Sequence, residues 1–195
     1  MPRKRRSTKS RIVKAAWKLF CKNGYEQTTI EDIIAASKTS KGTLYHYFKG
    51  KEALLNSLSY LFDEKYEELA ETIEDGLSAR EKLLYLNREL FTMIEREIDI
   101  DLLAYLYSSQ LITKDDQSLC DTDRFYFKWI REIMAEGLET GEFKGTATAD
   151  ELLDVYAMYE RALLYDWALF KGRYSLSAYS SRLLPHMLDT FEEGL

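Results

Sequence analysis

Hydrophobic residues recur at spacings of three and four along nearly the whole chain, which is the pattern of amphipathic helices. In residues 9–23 the apolar stripe runs through Ile12, Ala16 and Phe20, with lysines on the opposite face. Gly24 follows this segment, in the position where a residue past a helix end often needs positive φ. The pattern predicts an all-α fold of about nine helices.

Two short helices are predicted after the first one. Thr29 lies three positions before Asp32, which is the spacing of a capping box at the start of a helix. Ser40 is a second good N-cap residue and opens a helix over residues 41–48. Two short helices joined by about four residues, behind a longer supporting helix, form a helix-turn-helix arrangement. We therefore predict a three-helix DNA-binding domain over residues 1–51.

The remainder of the chain, residues 52–195, is predicted to be a larger helical domain for ligand binding and dimerisation. A long helix from Lys51 to about Glu74 is expected to join the two domains rigidly. The helix predicted near residues 150–170 is apolar almost all round, so it must be covered on two sides. Pro185 lacks a backbone donor and is expected to kink or divide the last helix. The other helices are expected near residues 79–97, 100–113, 122–139 and 177–192.

The composition excludes several classes of protein. Of the 195 residues, 46% are hydrophobic and 31% are charged, which is unlike a disordered or collagen-like chain. No apolar run approaches the roughly 18 residues that a bilayer-spanning helix needs, and no apolar signal region follows the basic start. Cys21 and Cys120 lie far apart and form no metal-ligand spacing. We therefore expect a cytoplasmic protein with no membrane partner.

The net charge of −6 is unevenly distributed. Residues 1–51 hold 13 Lys and Arg against three acids, whereas residues 52–195 hold 14 Lys and Arg against 30 acids. A basic head on an acidic body suggests that the head binds a polyanion. A solvated basic face without a partner is the alternative that charge alone leaves open. The basic residues Arg3–Arg6 could be an arm in the minor groove or a disordered solubilising segment.

The third predicted helix has the features of a recognition helix. Its first turn has unpaired N–H groups and the positive end of the helix dipole, and Gly42 lets a phosphate backbone come close. Tyr45 has the length to reach bases in the major groove. Alternatively, Tyr45 and Tyr47 are half-buried core residues and His46 is an exposed, inert side chain. The predicted DNA contacts, with two phosphate clamps on neighbouring helices, are Thr29, Ser40, Lys41, Gly42, Thr43, Tyr45, His46, Tyr47 and Lys51.

Several motifs with fixed spacings match a known family. They closely resemble the TetR/AcrR family of one-component transcriptional regulators, and a weaker resemblance lies in residues 136–143. The resemblance implies a ligand-responsive DNA-binding regulator, most often a repressor, which a small-molecule effector releases from a near-palindromic operator. Lys38 departs from the family, which usually has glycine at that position of the turn. The motifs are Arg11–Phe20, Gly24–Tyr25, Thr28–Ile30, Asp32–Ile33, Ser40–Phe48 and Lys51–Glu52.

The same resemblance implies a homodimer in which the last two helices of each subunit form a four-helix interface. The doubly apolar helix near residues 150–170 independently needs a partner, and a second subunit supplies one. Effector binding is expected to tilt the helix over residues 51–74 and so to change the separation of the two heads. The predicted interface residues are Leu152, Val155, Tyr159, Leu163, Leu184, Leu188 and Phe191.

The body holds 20 of the 26 aromatic residues, which favours a hydrophobic or aromatic effector. Aromatic residues at helical spacing are more often plain core, and that alternative stays open for each of them. Four acids near apolar stretches, Glu97, Asp101, Glu160 and Asp166, could attract a cationic ligand, but such residues are usually solvated and we expect solvation here. The predicted effector contacts are Tyr105, Phe125, Trp129, Tyr156, Tyr159 and Trp167.

The main rival hypotheses are an enzyme and a protein-interaction scaffold. The two histidines, His46 and His186, belong to no metal-ligand pair, and the chain has no nucleophile elbow and no phosphate-binding glycine loop. We therefore expect no cofactor, no metal and no catalysis. A helical scaffold without DNA binding would explain the apolar C-terminal helices, but it would leave the basic head unexplained.

Overall fold

The computed structural model describes residues 7–112 and 118–195, and within these ranges the chain folds into ten α-helices and one short 3₁₀ turn at Ser118–Cys120. The basic residues Arg3–Arg6 lie outside the described residues. No helix in the described part is long and apolar enough to cross a membrane. The α-helices are α1 (Thr8–Asn23), α2 (Ile30–Ser37), α3 (Lys41–Tyr47), α4 (Lys51–Leu55), α5 (Leu58–Thr72), α6 (Ala79–Glu97), α7 (Ile100–Ile112), α8 (Phe125–Glu139), α9 (Ala149–Leu169) and α10 (Leu176–Glu193).

The predicted caps of the first three helices are confirmed. Gly24 follows α1 with φ 84°, a conformation that glycine adopts without steric cost. At α2 the Thr29 hydroxyl accepts from the Asp32 amide, and the Asp32 carboxylate accepts from the Thr29 amide, which completes the capping box. Ser40 accepts from the Thr43 amide at the start of α3. Lys38 ends α2 in the left-handed region with φ 52°, so a lysine occupies a conformation that favours glycine.

The prediction of one helix from Lys51 to Glu74 is wrong. The chain leaves the helical path at Asn56 and Ser57, between α4 and α5. The Ser57 amide donates to the Leu54 carbonyl at 3.3 Å, which is a tighter turn than an α-helix makes. The stretch that was expected to be one helix therefore consists of two, α4 and α5.

Pro185 does not divide the last helix. Helix α10 runs without interruption from Leu176 to Glu193 and contains this proline. The Pro185 carbonyl accepts a hydrogen bond from Arg80 Nη2 at 3.0 Å, and the same nitrogen donates to Asp189 at 2.8 Å. Arg80 thus holds the proline-containing turn of α10 against the start of α6.

The chain forms two compact units, Met1–Phe62 with Asp101–Asp121, and Asp63–Ile100 with Thr122–Leu195. The first unit holds more than the predicted DNA-binding domain, since it also includes α4, the start of α5 and most of α7. In the second unit, α6 packs against α8 and α10, and α9 packs against α8 and α10.

The core of the first unit fixes the position of α3. The inner face of α1 is buried, including Trp17 and Phe20, and it packs against α2 and α4. Ile33 of α2 and Leu44 of α3 have no exposed surface, so the predicted inward face of the recognition helix is confirmed. Trp17 Nε1 also donates to the carbonyl of Leu54 in α4 at 3.1 Å. The opposite face of α3 is left outside this core.

Candidate functional site

The outer face of α3 carries exposed polar and aromatic side chains. Tyr45 is 46% exposed and Tyr47 is 41% exposed, so neither belongs to the core. The ring of His46, which is also exposed, lies 4.9 Å from the Tyr47 ring in an edge-to-face arrangement. The helix therefore presents three adjacent ring side chains, while Leu44 anchors its other face.

The N-terminus of α3 is open to an approaching ligand. A Cβ on Gly42 would meet only Ser40 Oγ, at 3.9 Å, so the packing of this chain does not require glycine there. Ser40 Oγ accepts from the Thr43 amide and also hydrogen-bonds to Thr43 Oγ1 at 2.8 Å. Other N–H groups of this first turn have no partner within the helix, because the first turn of any helix leaves them free. A glycine at this point leaves space for a phosphate to come close to the backbone.

Lys41 is held only loosely. Its ammonium lies 3.3 Å from Glu31 Oε1, and the two side chains are 65% and 70% exposed. Exposed ion pairs of this kind contribute about 0–1 kcal/mol and are screened by salt. The Lys41 side chain can therefore exchange Glu31 for a phosphate at little cost.

Both predicted phosphate clamps, Lys51 and Thr29, already form hydrogen bonds within the chain. Lys51 Nζ donates to the carbonyls of Tyr25 at 2.9 Å and Glu26 at 3.3 Å, and it lies 4.4 Å from the centre of the Tyr25 ring. The Thr29 hydroxyl donates to Asp32 Oδ2 at 2.6 Å. Both residues stabilise the turn between α1 and α2, so any contact with phosphate has to share or replace these bonds.

The expectation that Glu160 is solvated is wrong. Its side chain is buried, and the residue is only 4% exposed. Glu160 Oε1 accepts from Asn87 Nδ2 at 2.8 Å, and Oε2 accepts from the Tyr126 hydroxyl at 2.8 Å. Ser180 Oγ donates to Asn87 Oδ1 at 2.6 Å. We call these four residues the Glu160 cluster; it joins α6, α8, α9 and α10 in the second unit.

Burial sets the electrostatics of this cluster. It raises the pKa of Glu160 above the ordinary value of 4.5, and the hydrogen bonds from Asn87 and Tyr126 oppose that shift. Burial and the nearby Glu160 carboxylate raise the pKa of both Tyr126 and Tyr66. The Tyr66 hydroxyl is buried and has no hydrogen-bond partner among the described residues. A buried hydroxyl without a partner is a position where a water or the polar group of a ligand can bind.

The six predicted effector contacts do not line one common wall. Tyr105 is half-exposed and belongs to the first unit, whereas the other five belong to the second. Tyr156 is fully buried and donates to the Leu83 carbonyl at 3.1 Å, and Trp167 donates to the Tyr174 carbonyl at 2.9 Å. For Tyr156 and Trp167 the alternative of plain core describes what the structure shows.

Three of the predicted effector contacts, Phe125, Trp129 and Tyr159, are half-buried. The rings of Phe125 and Trp129 are half-buried and lie 5.8 Å apart, and Trp129 lies 6.3 Å from Tyr66. The hydroxyl of Tyr159 is buried without a partner among the described residues, and burial raises the pKa of Tyr159 to about 12.

A separate cavity of about 500 Å³ lies in the second unit between α6, α10 and the end of α5. Apolar and polar side chains both line it, and it shares Asn87 with the Glu160 cluster. None of the six predicted aromatic residues lies on its wall. The lining residues are Thr72, Glu74, Leu77, Glu81, Leu84, Tyr85, Asn87, Arg88, Ser181, Leu184 and Pro185.

Most of the predicted interface residues are buried within the single chain. Leu152, Leu184, Leu188 and Phe191 have almost no exposed surface, and Leu163 is also buried. They pack inside the subunit and offer no surface to a second one. Of the seven predicted residues, only Val155 and Tyr159 are half-exposed.

A different face of α9 is apolar and exposed. Met158 is 59% exposed and Leu169 is 62% exposed, and Tyr165 lies between them. With Ala162, these residues are spaced by four, three and four positions, so they form one stripe along the helix. Sequence periodicity missed this stripe because α9 is apolar on its inner face as well.

Among the described residues there is no group of three or more His, Cys, Asp or Glu side chains that could hold a metal ion.

Comparison with known proteins decides between the hypotheses. The model for "Bacterial regulatory proteins, tetR family" matches residues 12–58, which include α1, α2, α3 and α4. The chain is 28% identical over 185 residues to the fatty acid metabolism regulator protein of Bacillus subtilis, and the match covers 89% of this chain and 90% of that protein.

Residues 12–58 form a DNA-binding domain of the tetR family.

The chain is therefore a ligand-responsive DNA-binding transcriptional regulator of the tetR type, a type that is not enzymatic, and the comparisons favour this function over a scaffold without DNA binding. Two solved relatives have the same fold. FadR of Thermus thermophilus in complex with lauroyl-CoA has a TM-score of 0.70 at 25% identity, and the match covers 92% of this chain and 93% of that one. FadR of Bacillus subtilis in complex with stearoyl-CoA has a TM-score of 0.68 at 24% identity, covering 95% and 98%.

Proposed function

We propose that this tetR-family regulator is a homodimeric repressor that binds a near-palindromic operator and leaves it when a long-chain acyl-CoA thioester binds. The observation that carries the DNA-binding part is the outer face of α3, where Lys41, Tyr45 and Tyr47 are exposed beside an open helix N-terminus. Such a helix enters the major groove with its N-terminal residues toward the bases. The net charge of the first 51 residues favours the same partner.

The proposed DNA contacts divide into two groups. Lys41 and the N–H groups beside Gly42 bind phosphates and set the orientation of the helix, while Tyr45, His46 and Tyr47 reach toward base edges. Ser40 and Thr43 add hydroxyls at the same helix end. Contacts to phosphate are independent of sequence, so we expect operator choice to depend on the ring side chains.

The effector class follows from the relatives and from the body of this chain. Both solved relatives described above hold an acyl-CoA, and the second unit here is rich in apolar and aromatic side chains. The unpaired Tyr66 hydroxyl and the nearby Glu160 cluster supply polar groups inside an otherwise apolar region. We propose that the thioester end of the acyl chain binds near Tyr66 and Trp129.

Adding lauroyl-CoA or stearoyl-CoA is expected to weaken the operator complex by about 5- to 150-fold, the usual range for coupling between an effector and a second ligand. The measurement is fluorescence anisotropy on an operator fragment selected from genomic DNA, titrated with each compound. Coenzyme A without an acyl chain is the control and is expected to leave the complex intact. Release by a small aromatic compound, with no response to either thioester, would contradict the acyl-CoA assignment and favour an aromatic effector.

The dimer is proposed to form through the exposed stripe of α9, from Met158 to Leu169. This face replaces the buried residues that sequence analysis assigned to the interface. Two-fold symmetry would place the stripe of one subunit on that of the other and remove both from water. The two recognition helices of such a dimer can read half-sites about 34–36 Å apart, or a multiple of that.

Replacing both Met158 and Leu169 by glutamate is expected to produce monomers, since four carboxylates would be buried without partners in each dimer. Sedimentation velocity measures the change, and operator affinity is expected to fall with it. Ser108→Glu adds a carboxylate on an exposed position of α7 and serves as the control. A variant that stays dimeric would show that the interface lies elsewhere.

A further inference from the structure

Within the first unit, helix α7 hydrogen-bonds to Asn56 at the end of α4, and it also contacts the turn that Lys51 at the start of α4 holds. At one end, the side chain of Tyr105 lies against the turn that Lys51 holds. At the other end, Ser109 and Gln110 hydrogen-bond to Asn56, where α4 stops. Tyr105 and Ser109 are four residues apart on α7, about 6 Å along a helix, and Lys51 and Asn56 are five residues apart, about 7.5 Å. The spacings match, so one face of α7 can hold the whole length of α4.

The contact at Asn56 is a buried polar network. Asn56 Oδ1 accepts from Ser109 Oγ at 2.6 Å and, more weakly, from Gln110 Nε2 at 3.4 Å. The Asn56 carbonyl accepts from Ser118 Oγ at 2.7 Å. Gln110 Oε1 in turn accepts from the Leu119 amide at 3.1 Å. Asn56 is buried, so losing these partners would leave polar atoms without hydrogen bonds in an apolar surrounding.

The network satisfies a carbonyl that the break in the helix exposes. In a continuous helix the Asn56 carbonyl would accept from the Tyr60 amide, four positions later. Here the Tyr60 amide donates to the Ser57 carbonyl at 3.0 Å instead. The Asn56 carbonyl accepts from the Ser118 hydroxyl. The break is thus stabilised by residues far away in the sequence, on α7 and in the 3₁₀ turn.

The contact at the other end reaches the turn before α2. The ring of Tyr105 lies 6.1 Å from the ring of Tyr25, and the Lys51 ammonium lies over the same Tyr25 ring. The Tyr25 ring also packs edge-on against Phe20 of α1, at 5.1 Å. A shift of α7 would therefore be transmitted through the Tyr25 ring to α1, the supporting helix of the DNA-binding domain.

From α4 the connection continues to the recognition helix. The Leu54 carbonyl, two residues before Asn56, accepts from Trp17 Nε1 of α1. Helix α1 packs on α2, and α2 packs on α3. Every step from Ser109 to α3 is a hydrogen bond or a buried contact within one unit.

We propose that Asn56 is a positioning residue for operator binding, held by Ser109 and Gln110 of α7. By fixing the break between α4 and α5, it fixes the angle between α4 and α5, and α1 packs on α4 while α2 and α3 are connected to α4 through α1. This role rests on the proposed dimeric operator complex, because the angle sets how far apart two recognition helices lie. Asn56 touches no DNA in this role and acts through α4 and α1.

The test compares two operators that differ only in half-site spacing. The full-length protein is titrated with its selected operator and with the same operator lengthened by one base pair between the half-sites. Asn56→Leu keeps the branched shape and the number of heavy atoms of the side chain and removes the acceptor, and Ser109→Ala removes one donor. Ser108→Ala, an exposed neighbour on the same helix, is the control. Thermal unfolding of each variant is recorded in parallel.

Asn56→Leu and Ser109→Ala are expected to lower the preference for the correct spacing by about 2- to 30-fold, while Ser108→Ala keeps it. A merely structural role would lower the unfolding temperature and the active fraction but leave the ratio of the two affinities unchanged. If Asn56→Leu does not fold, Ser109→Ala alone decides. An unchanged ratio in the folded variants would overturn the proposal. A wild-type protein that binds no operator as a dimer would instead contradict the proposed function, and the positioning role with it.

Discussion

Replacing Tyr45 by alanine is expected to weaken operator binding by about 2–6 kcal/mol, because a base contact contributes about 1–3 kcal/mol and a dimer makes each contact twice. Replacing Lys41 by alanine is expected to weaken binding to all sequences alike and to lower the slope of the salt dependence by about one per subunit, because Lys41 is proposed to bind a phosphate. Both side chains are exposed and carry no core packing, so the fold should be unaffected. Anisotropy titrations on the selected operator measure the loss, and circular dichroism checks the helical content.

The matched control is Lys144→Ala, which removes one exposed lysine from the second unit. It changes the net charge as much as Lys41→Ala does, and operator affinity is expected to stay within about twofold. Comparable losses in both lysine variants would mean that overall charge, and not α3, controls binding. Full affinity in the Tyr45 variant would remove this residue from the recognition surface.

Replacing Glu160 by alanine is expected to lower the free energy of unfolding by about 2–6 kcal/mol. The variant leaves the Asn87 amide and the Tyr126 hydroxyl without their acceptor, and each buried unsatisfied donor costs about 1–3 kcal/mol. Denaturant unfolding measures the change. Glu139→Ala, an exposed position on α8, is the control and should stay within about 0.5 kcal/mol of the wild type.

Two tyrosines of similar burial separate the effect of hydrogen bonding from that of size. Tyr126→Phe removes a hydrogen bond to Glu160, so it should destabilise the protein. Tyr66→Phe removes a buried hydroxyl that has no partner among the described residues, so it should be neutral or stabilising. Equal losses in the two variants would contradict the assigned hydrogen-bond network.

The raised pKa of Glu160 predicts the direction in which the stability of the protein changes with pH. Above the ordinary value of 4.5 and up to the raised pKa, the folded protein holds more protons than the unfolded chain. The contribution of Glu160 to the free energy of unfolding therefore falls as the pH increases through this window. Glu160→Gln does not titrate, so the stability of the wild type relative to this variant should decrease as the pH rises above 4.5. The opposite trend would show that the hydrogen bonds outweigh burial.

The first three helices could be predicted from the sequence because the signals that define them are local. Thr29 and Ser40 cap helices with partners three residues away, and Gly24 ends α1 through its own backbone conformation. The outer face of α3 followed from the same short-range pattern once Leu44 was placed inward. Local capping and helical spacing were sufficient for the part of the chain that is proposed to bind DNA.

The features that the sequence did not predict depend on distant partners. Nothing in the apolar spacing interrupts the helix at Asn56, because the break is stabilised by Ser109 and Ser118, more than 50 positions away. Glu160 looked like a solvated acid, and only the fold brings Asn87 and Tyr126 to its two oxygens.

The proposed interface on α9 could not be predicted from the sequence for a different reason. The helix is apolar on nearly all sides, so periodicity could not tell which face packs within the subunit. Burial in the single chain assigns Leu152 and Leu163 to the core and leaves Met158 and Leu169 outside. The need for a partner was predicted from the sequence, but the residues that would meet it were not.

The central claim is that α3 recognises operator DNA. Its most direct test compares the affinity for a selected genomic fragment with the affinity for a scrambled duplex of the same length and composition. The account predicts binding at least about 10³-fold tighter to the selected fragment at the same salt concentration. It also predicts that affinity falls by about 10³–10⁵ between 50 and 200 mM salt, as expected for 6–10 phosphate contacts. Equal affinity for both duplexes, or binding that ignores salt, would contradict it.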